Sequence, residues 1–198
     1  MKIKLIILAI LLPMLAITAA TPKENVKADF TAYINHLINQ EFKKSTEYLY
    51  PELFDFVPKE QMISTMDQTF NNSEIMISLS DPQVQSIGEV REIDSSFYCL
   101  LNYSHKMNMK FAVDTSNTKE DIVLRDELTF SNLKSNFGED NVTYDSTNSS
   151  FDILSVKDSY AKSTNGTTDW KFIDIDKSKI MFLNALLPKE IVDEITAE

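Results

Sequence analysis

The 198-residue chain holds two histidines and one cysteine, so acid–base or nucleophilic chemistry has few places to sit. His105 is the most suggestive of them. In Phe97–Val113, the residues Phe97, Cys99, Leu101, Tyr103, His105, Met107, Met109, Phe111 and Val113 alternate with Tyr98, Leu100, Asn102, Ser104, Lys106, Asn108 and Lys110. Such alternation predicts a long strand with one apolar face turned inward. That face carries Tyr103 and His105 side by side. An imidazole, whose pKa lies near neutrality, next to a phenol can act as general acid or base. A hydrogen-bonded core histidine, or one at a sheet rim, fits the same pattern. His36 lies beside Leu37 but off the apolar stripe of its segment, which predicts a solvent or rim position.

The other reactive types are scattered. Asp174 and Asp176 could attract a cation, while Asp176 also suits the start of a helix. Asp152 and Asp158 share a strand face with Leu154, Val156 and Tyr160, so they are solvated at an edge or one of them points inward. Ser155 and Ser159 lack the Gly-x-Ser-x-Gly setting of a nucleophile elbow. Three glycines offer no phosphate-cradling loop, and no ligand spacing for a metal appears. No catalytic residue, metal ligand or cofactor is therefore assigned. Cys99 cannot form an internal disulfide and reads as a buried, inert thiol. Aromatic residues are the remaining clue, because they can either wall an apolar pocket or fill a core. The candidate cavity-lining residues are Tyr33, Phe54, Tyr103, His105, Trp170 and Phe172.

The elements that would position these residues follow from periodicity. Val26, Phe30, Tyr33, Ile34, Leu37 and Ile38 share a helical face. A short second helix places Phe42, Thr46 and Leu49 inward and ends at Tyr50-Pro51. Glu52–Val57 forms an apolar elbow, and Pro58 opens a third helix carrying Met62, Met66 and Phe70. The period then falls to two. Ile75, Ile77 and Leu79 predict a strand, Asp81-Pro82 a turn, and Val84–Val90 a second strand with Gly88 as a bulge. After the long strand, Thr118-x-x-Asp121 caps a helix whose apolar side is Leu124, Leu128, Phe130, Leu133 and Phe137, with Gly138 at its end. Strands are predicted at Val142–Tyr144, Phe151–Ala161 and Trp170–Ile175, with Asn165-Gly166 as a tight hairpin turn. Ser178–Leu187 and Pro188–Ile195 close the chain as helices.

Net charge is −11, which argues against nucleic acid as a partner. Met1–Ala20 has the layout of a cleaved export signal: Lys2 and Lys4, the apolar run Leu5–Ile17, then Thr18-Ala19-Ala20. The run is short of the roughly 20 residues a bilayer span needs, and no later segment is apolar enough to span a membrane. The expectation is an exported protein, periplasmic or secreted, with one domain over 21–198. No cysteine follows the cut, so a bacterial lipoprotein is not expected. Asn71, Asn102, Asn141, Asn148 and Asn165 head glycosylation triplets that matter only in a eukaryotic host.

The order of these elements resembles the nuclear transport factor 2-like superfamily. Phe30–Leu49 is similar to its opening pair of a long and a short helix, and Trp170-Lys171-Phe172 to its closing strand. The resemblance spans Val26–Ile175 and points to exported bacterial members of unknown function. It implies an α+β fold in which N-terminal helices pack on a curved antiparallel sheet, a cone-shaped, cystatin-like roll. Thr118–Phe137 would be an inserted helix and Ser178–Ile195 an addition; either could cover the mouth of the roll. The superfamily includes isomerases, dehydratases, cyclases and non-enzymatic binding proteins, so the fold does not choose among functions. Its steroid-isomerase-like members pair an aspartate base with a tyrosine, and no position here matches both. The leading expectation is a non-catalytic exported domain that binds a small apolar ligand, a peptide or a protein through its cavity or sheet face. The alternatives are a small cavity enzyme using His105, and a structural subunit that pairs as a homodimer through its sheet, as superfamily members frequently do.

Overall fold

The computed structural model describes residues 20–112, 116 and 118–197. Most of the expected export signal, and Val113 of the long strand, lie outside the described residues.

Helix α1 spans Pro22–Ile38. Thr21 and Glu24 form its capping box: the Glu24 carboxylate accepts from the Thr21 backbone N–H at 2.7 Å, and the Thr21 hydroxyl accepts from Glu24 N–H at 3.3 Å. Its buried face is Val26, Phe30, Tyr33 and Ile34, at helical spacing. Helix α2, Phe42–Ser45, passes directly into a 3₁₀ turn at Thr46–Tyr48, and a second 3₁₀ turn covers Pro51–Asp55. Helix α3 spans Lys59–Phe70 and buries none of its side chains fully.

Among the described residues the sheet is antiparallel, with six strands, and is not closed. Strand β1 is Ile75–Ile87, β2 Arg91–Ile93 and β3 Ser96–Phe111. Helix α4, Lys119–Phe137, follows, then β4 Val142–Asp145, β5 Ser150–Ser163 and β6 Lys171–Asp174. Helices α5, Ile180–Leu186, and α6, Lys189–Ala197, end the chain. The order is β1-β3-β5-β4, with β2 pairing β3 and β6 pairing β5. The architecture is α+β.

The register of β3 against β5 sets Cys99 opposite Ala161, Tyr103 opposite Lys157, His105 opposite Ser155 and Met109 opposite Phe151. These residues share one face, called inner here, and Tyr98, Leu100, Asn102, Tyr160 and Lys162 share the outer face. Helix α1 lies on the inner face, where the Phe30 ring packs 4.6 Å from Tyr103 and 5.1 Å from Phe172. Helix α4 covers the far end of the same face; Phe130, Leu133 and Phe137 pack on a small second core of Val142, Phe151 and Ile153. The C-terminal helices do not join them there. Helix α6 packs on the outer face, where Tyr160 donates to Glu194 at 3.3 Å and Arg91 forks onto the same carboxylate at 2.6 and 2.7 Å. One end of the sheet is therefore sandwiched between α1 and α6.

Three local expectations change. Asp81-Pro82 is no turn: β1 runs through it, and the pairing with β3 slips between Ser80 and Gln83. Opposite so long a partner as β3, the extra residues are absorbed as a bulge that preserves pairing on both sides. On α4, Leu124 and Leu128 are not on the packed side but 58 % and 64 % exposed. Asn165-Gly166 is no two-residue turn either. The Asn165 side chain accepts from the N–H groups of Thr167 and Thr168 at 2.8 and 2.9 Å, which builds a wider loop. Gly166 sits at φ 70°, and an added Cβ there would meet the Phe97 ring at 2.7 Å.

Candidate functional site

Halfway along the inner face, between the parts covered by α1 and α4, the apolar surface gives way to polar side chains. Tyr103 on β3 donates its hydroxyl to both carboxylate oxygens of Asp174 on β6, at 2.9 and 3.1 Å. Lys157 on β5 reaches the same carboxylate at 3.3 Å. The His105 ring stacks on Tyr103 with centroids 5.9 Å apart and 19° between planes. His105 is 8 % exposed, and its Nδ1 is buried without a hydrogen-bond partner. Ser155, directly opposite, is also buried. The bulge in β1 faces this point, since Lys106 pairs with Ser80 and Ser104 with Gln83 on either side of His105. Bulges recur beside sites because they re-aim neighbouring side chains.

The electrostatics assign states. Burial, helped by the Lys157 ammonium, pushes the His105 imidazole below its ordinary value of 6.5, against a smaller opposite pull from Asp174. At neutral pH it is an uncharged base with a free lone pair or N–H at Nδ1. Burial and the Asp174 charge push Tyr103 well above the usual phenol range, so it stays a donor. Tyr33 is raised the same way. The arrangement can supply one neutral acceptor or donor and one locked phenol.

The neutral state has a measurable consequence. Unfolded His105 takes a proton as pH falls past about 6.5, while the folded ring resists it, so the unfolded chain binds more protons in that window. Folding stability should fall as pH drops from about 6.5 toward 5, before ordinary carboxylates titrate. His105→Gln should flatten this part of the profile in urea melts; an unchanged slope would refute the assignment.

The sequence candidates come together only in part. Tyr33, Tyr103, Trp170 and Phe172 belong to the main core cluster, and Phe54 packs against it partly buried. His105 joins them through Tyr103. Surface grooves are lined by other residues. One of about 520 Å³ contains His36, Asp29, Glu47, Tyr48 and Lys171. There His36 Nδ1 lies 2.5 Å from Glu41, at the rim position expected for it. Asp152 and Asp158 sit on the outer face, each accepting from an asparagine across the sheet, Asn108 at 2.7 Å and Asn102 at 2.8 Å. Cys99 is buried, and burial pushes its thiol up to about 12. Asp176 caps the Lys177–Lys179 turn by accepting from Ser178 N–H at 3.0 Å.

No protein-family model matches this chain, and no curated protein matches it either. The site is thus defined by its own geometry. Sequence reasoning missed Asp174 and Lys157 as partners of Tyr103. A signal for Asp174 existed: Trp170, Phe172 and Asp174 alternate, which puts the carboxylate on the face that carries Phe172.

Proposed function

We propose that this chain is a non-catalytic binding domain that holds an extended segment of a partner protein along an open stretch of its sheet. One observation carries the reading. Strand β5 is flanked by β4 only over Ser150–Ile153 and by β6 only over Ser159–Lys162, while Leu154 and Val156 between them are 40 % and 52 % exposed. The Asp158 carbonyl points away from β3, because it accepts from Ile175 N–H at 2.9 Å. By strand alternation the N–H and C=O groups of Leu154 and Val156 point out of the same edge. A peptide strand laid there would gain main-chain hydrogen bonds, and every second one of its side chains would lie on the outer face beside Leu154 and Val156. A groove of about 460 Å³, lined by Lys106, Asn108, Asp140, Thr143, Asp152 and Leu154 among others, continues from that edge.

Peptides selected from a random library against the full chain test this. They should alternate apolar and polar residues and lose affinity at least tenfold on Val156→Pro, which removes an edge N–H, and on Val156→Lys. Both variants should keep the free energy of unfolding from urea melts within about 1 kcal/mol of the parent. Peptides indifferent to both variants would refute the reading, as would a homodimer that occupies the edge.

The element order supports a nuclear transport factor 2-like roll as the finer description of the fold, and the Met1–Ala20 pattern supports export to the periplasm or medium. A second reading, a small isomerase, dehydratase or hydrolase with His105 as base, is favoured by the unpartnered buried Nδ1 beside the Tyr103–Asp174 pair. In a substrate screen, His105→Gln should abolish any turnover found; retained turnover would remove His105 from it.

A further inference from the structure

We propose that the exposed ridge of α4 is a docking site for a basic amphipathic helix of another protein, independent of the β5 edge. Helix α4 sets Phe130, Leu133 and Phe137 on the sheet, as expected, but leaves an apolar cluster of its N-terminal half uncovered. Asp126 is 1 % exposed, while Val123, Leu124 and Leu128 are 54 %, 58 % and 64 % exposed. Single exposed aliphatics are ordinary, but a cluster within two turns of one helix marks a contact surface. The rotation of α4 is held by specific bonds. Asp126 accepts a fork from Arg125 Nε and Nη2 at 2.8 and 2.6 Å and the Tyr144 hydroxyl at 2.5 Å. The Arg125 guanidinium itself lies 4.0 Å over the Phe111 ring. With those groups fixed against the sheet, Leu124 and Leu128, each roughly 160° round the helix from Asp126, must face outward, and Val123, 54 % exposed, adjoins them.

Charge selects the occupant. A groove of about 290 Å³ along the ridge is lined by Lys119, Glu120, Val123, Leu124 and Glu127. Glu120 and Glu127 are seven residues apart, so they lie on the same side of the helix roughly 10 Å apart. They bracket Val123 and Leu124. A partner must bring aliphatic side chains to the middle and cations about two turns apart to the ends, which is the layout of a helix with Lys or Arg flanking a leucine stripe. A second copy would set four carboxylates against two lysines and add its own net charge of −11. The same carboxylates oppose an anionic lipid surface.

The probes are a Leu/Lys amphipathic helical peptide and its Leu/Glu counterpart, titrated into the full chain by fluorescence anisotropy. The Leu/Lys peptide should bind and the Leu/Glu peptide should not. Leu124→Ser/Leu128→Ser should weaken binding at least tenfold without changing charge. Glu120→Gln/Glu127→Gln should weaken it and flatten its salt dependence. Met181→Ser, at a residue 87 % exposed on α5, should leave it unchanged. Binding of the Leu/Lys peptide that survives Leu124→Ser/Leu128→Ser would overturn the proposal. So would a dimer in sedimentation, or adhesion to vesicles, that the same double variant abolishes.

Discussion

Trp170→Ala is expected to lower the free energy of unfolding by about 4 kcal/mol, within the usual range for emptying a large aromatic site. Trp170 is 0 % exposed and belongs to the main core. It also acts as a joint. Its backbone N–H donates to Asp29 of α1 at 2.9 Å, and its indole N–H donates to the Thr167 carbonyl at 3.2 Å. Alanine keeps the first bond, loses the second and leaves a void between α1 and the sheet. Trp170→Phe keeps most of the volume and forfeits the indole bond, so it should cost about 1–2 kcal/mol. Urea unfolding followed by circular dichroism measures both, with an unchanged slope showing that the unfolded state is the same. Because folded domains have only about 5–15 kcal/mol in hand, the alanine variant should be partly unfolded at 37 °C. A loss below about 1.5 kcal/mol would mean that the surrounding core collapses onto the site.

Asp126→Ala should cost about 3 kcal/mol, the typical penalty for removing one member of a buried, hydrogen-bonded ion pair. The loss exceeds the bonds themselves, because Arg125 is left on the Phe111 ring and Tyr144 is left with a hydroxyl lacking its acceptor. Arg125→Met/Asp126→Leu should cost less than the sum of the single changes, since neither variant group then needs a partner. Burial alone would raise the Asp126 carboxyl, but the hydrogen bonds from Tyr144 and Arg125 outweigh it and hold it below 3.8. Its stabilisation is therefore complete above about pH 4 and is lost as pH falls through the lower, folded value. If Asp126→Ala unfolds at the same urea concentration as the parent, the knot does not hold α4 in place. It would then no longer account for the exposed ridge.

Much of the architecture was legible because local periodicity reports burial on one element. The α1 stripe, the capping residue Thr118 and the long alternation of β3 each act within a few residues, and each is found where the pattern placed it, although α1 starts one turn earlier, at Pro22. The reading failed where an element's neighbours decide. Asp81-Pro82 has turn chemistry, yet the length of β3 makes it a bulge. Leu124 and Leu128 belong to the predicted apolar side of α4, yet the Arg125–Asp126–Tyr144 bonds, with Phe130, Leu133 and Phe137, turn the adjoining stripe to the sheet and leave both leucines exposed. The site shows the same division. Tyr103 and His105 were visible as neighbours on one strand face, whereas Asp174 is 71 positions from Tyr103 along the chain.

Residue order alone determined the presence of α1, α4 and β3, which faces of α1 and β3 are apolar, and the acidic charge of −11. These depend on interactions a few residues long. Tertiary packing determined the neutrality of His105, the pairing of Asp174 with Tyr103, the placement of α6 on the outer face, and the open edge at Leu154–Val156. Each of these depends on which distant strand or helix comes to lie alongside, and on the water that contact excludes, which no local pattern encodes.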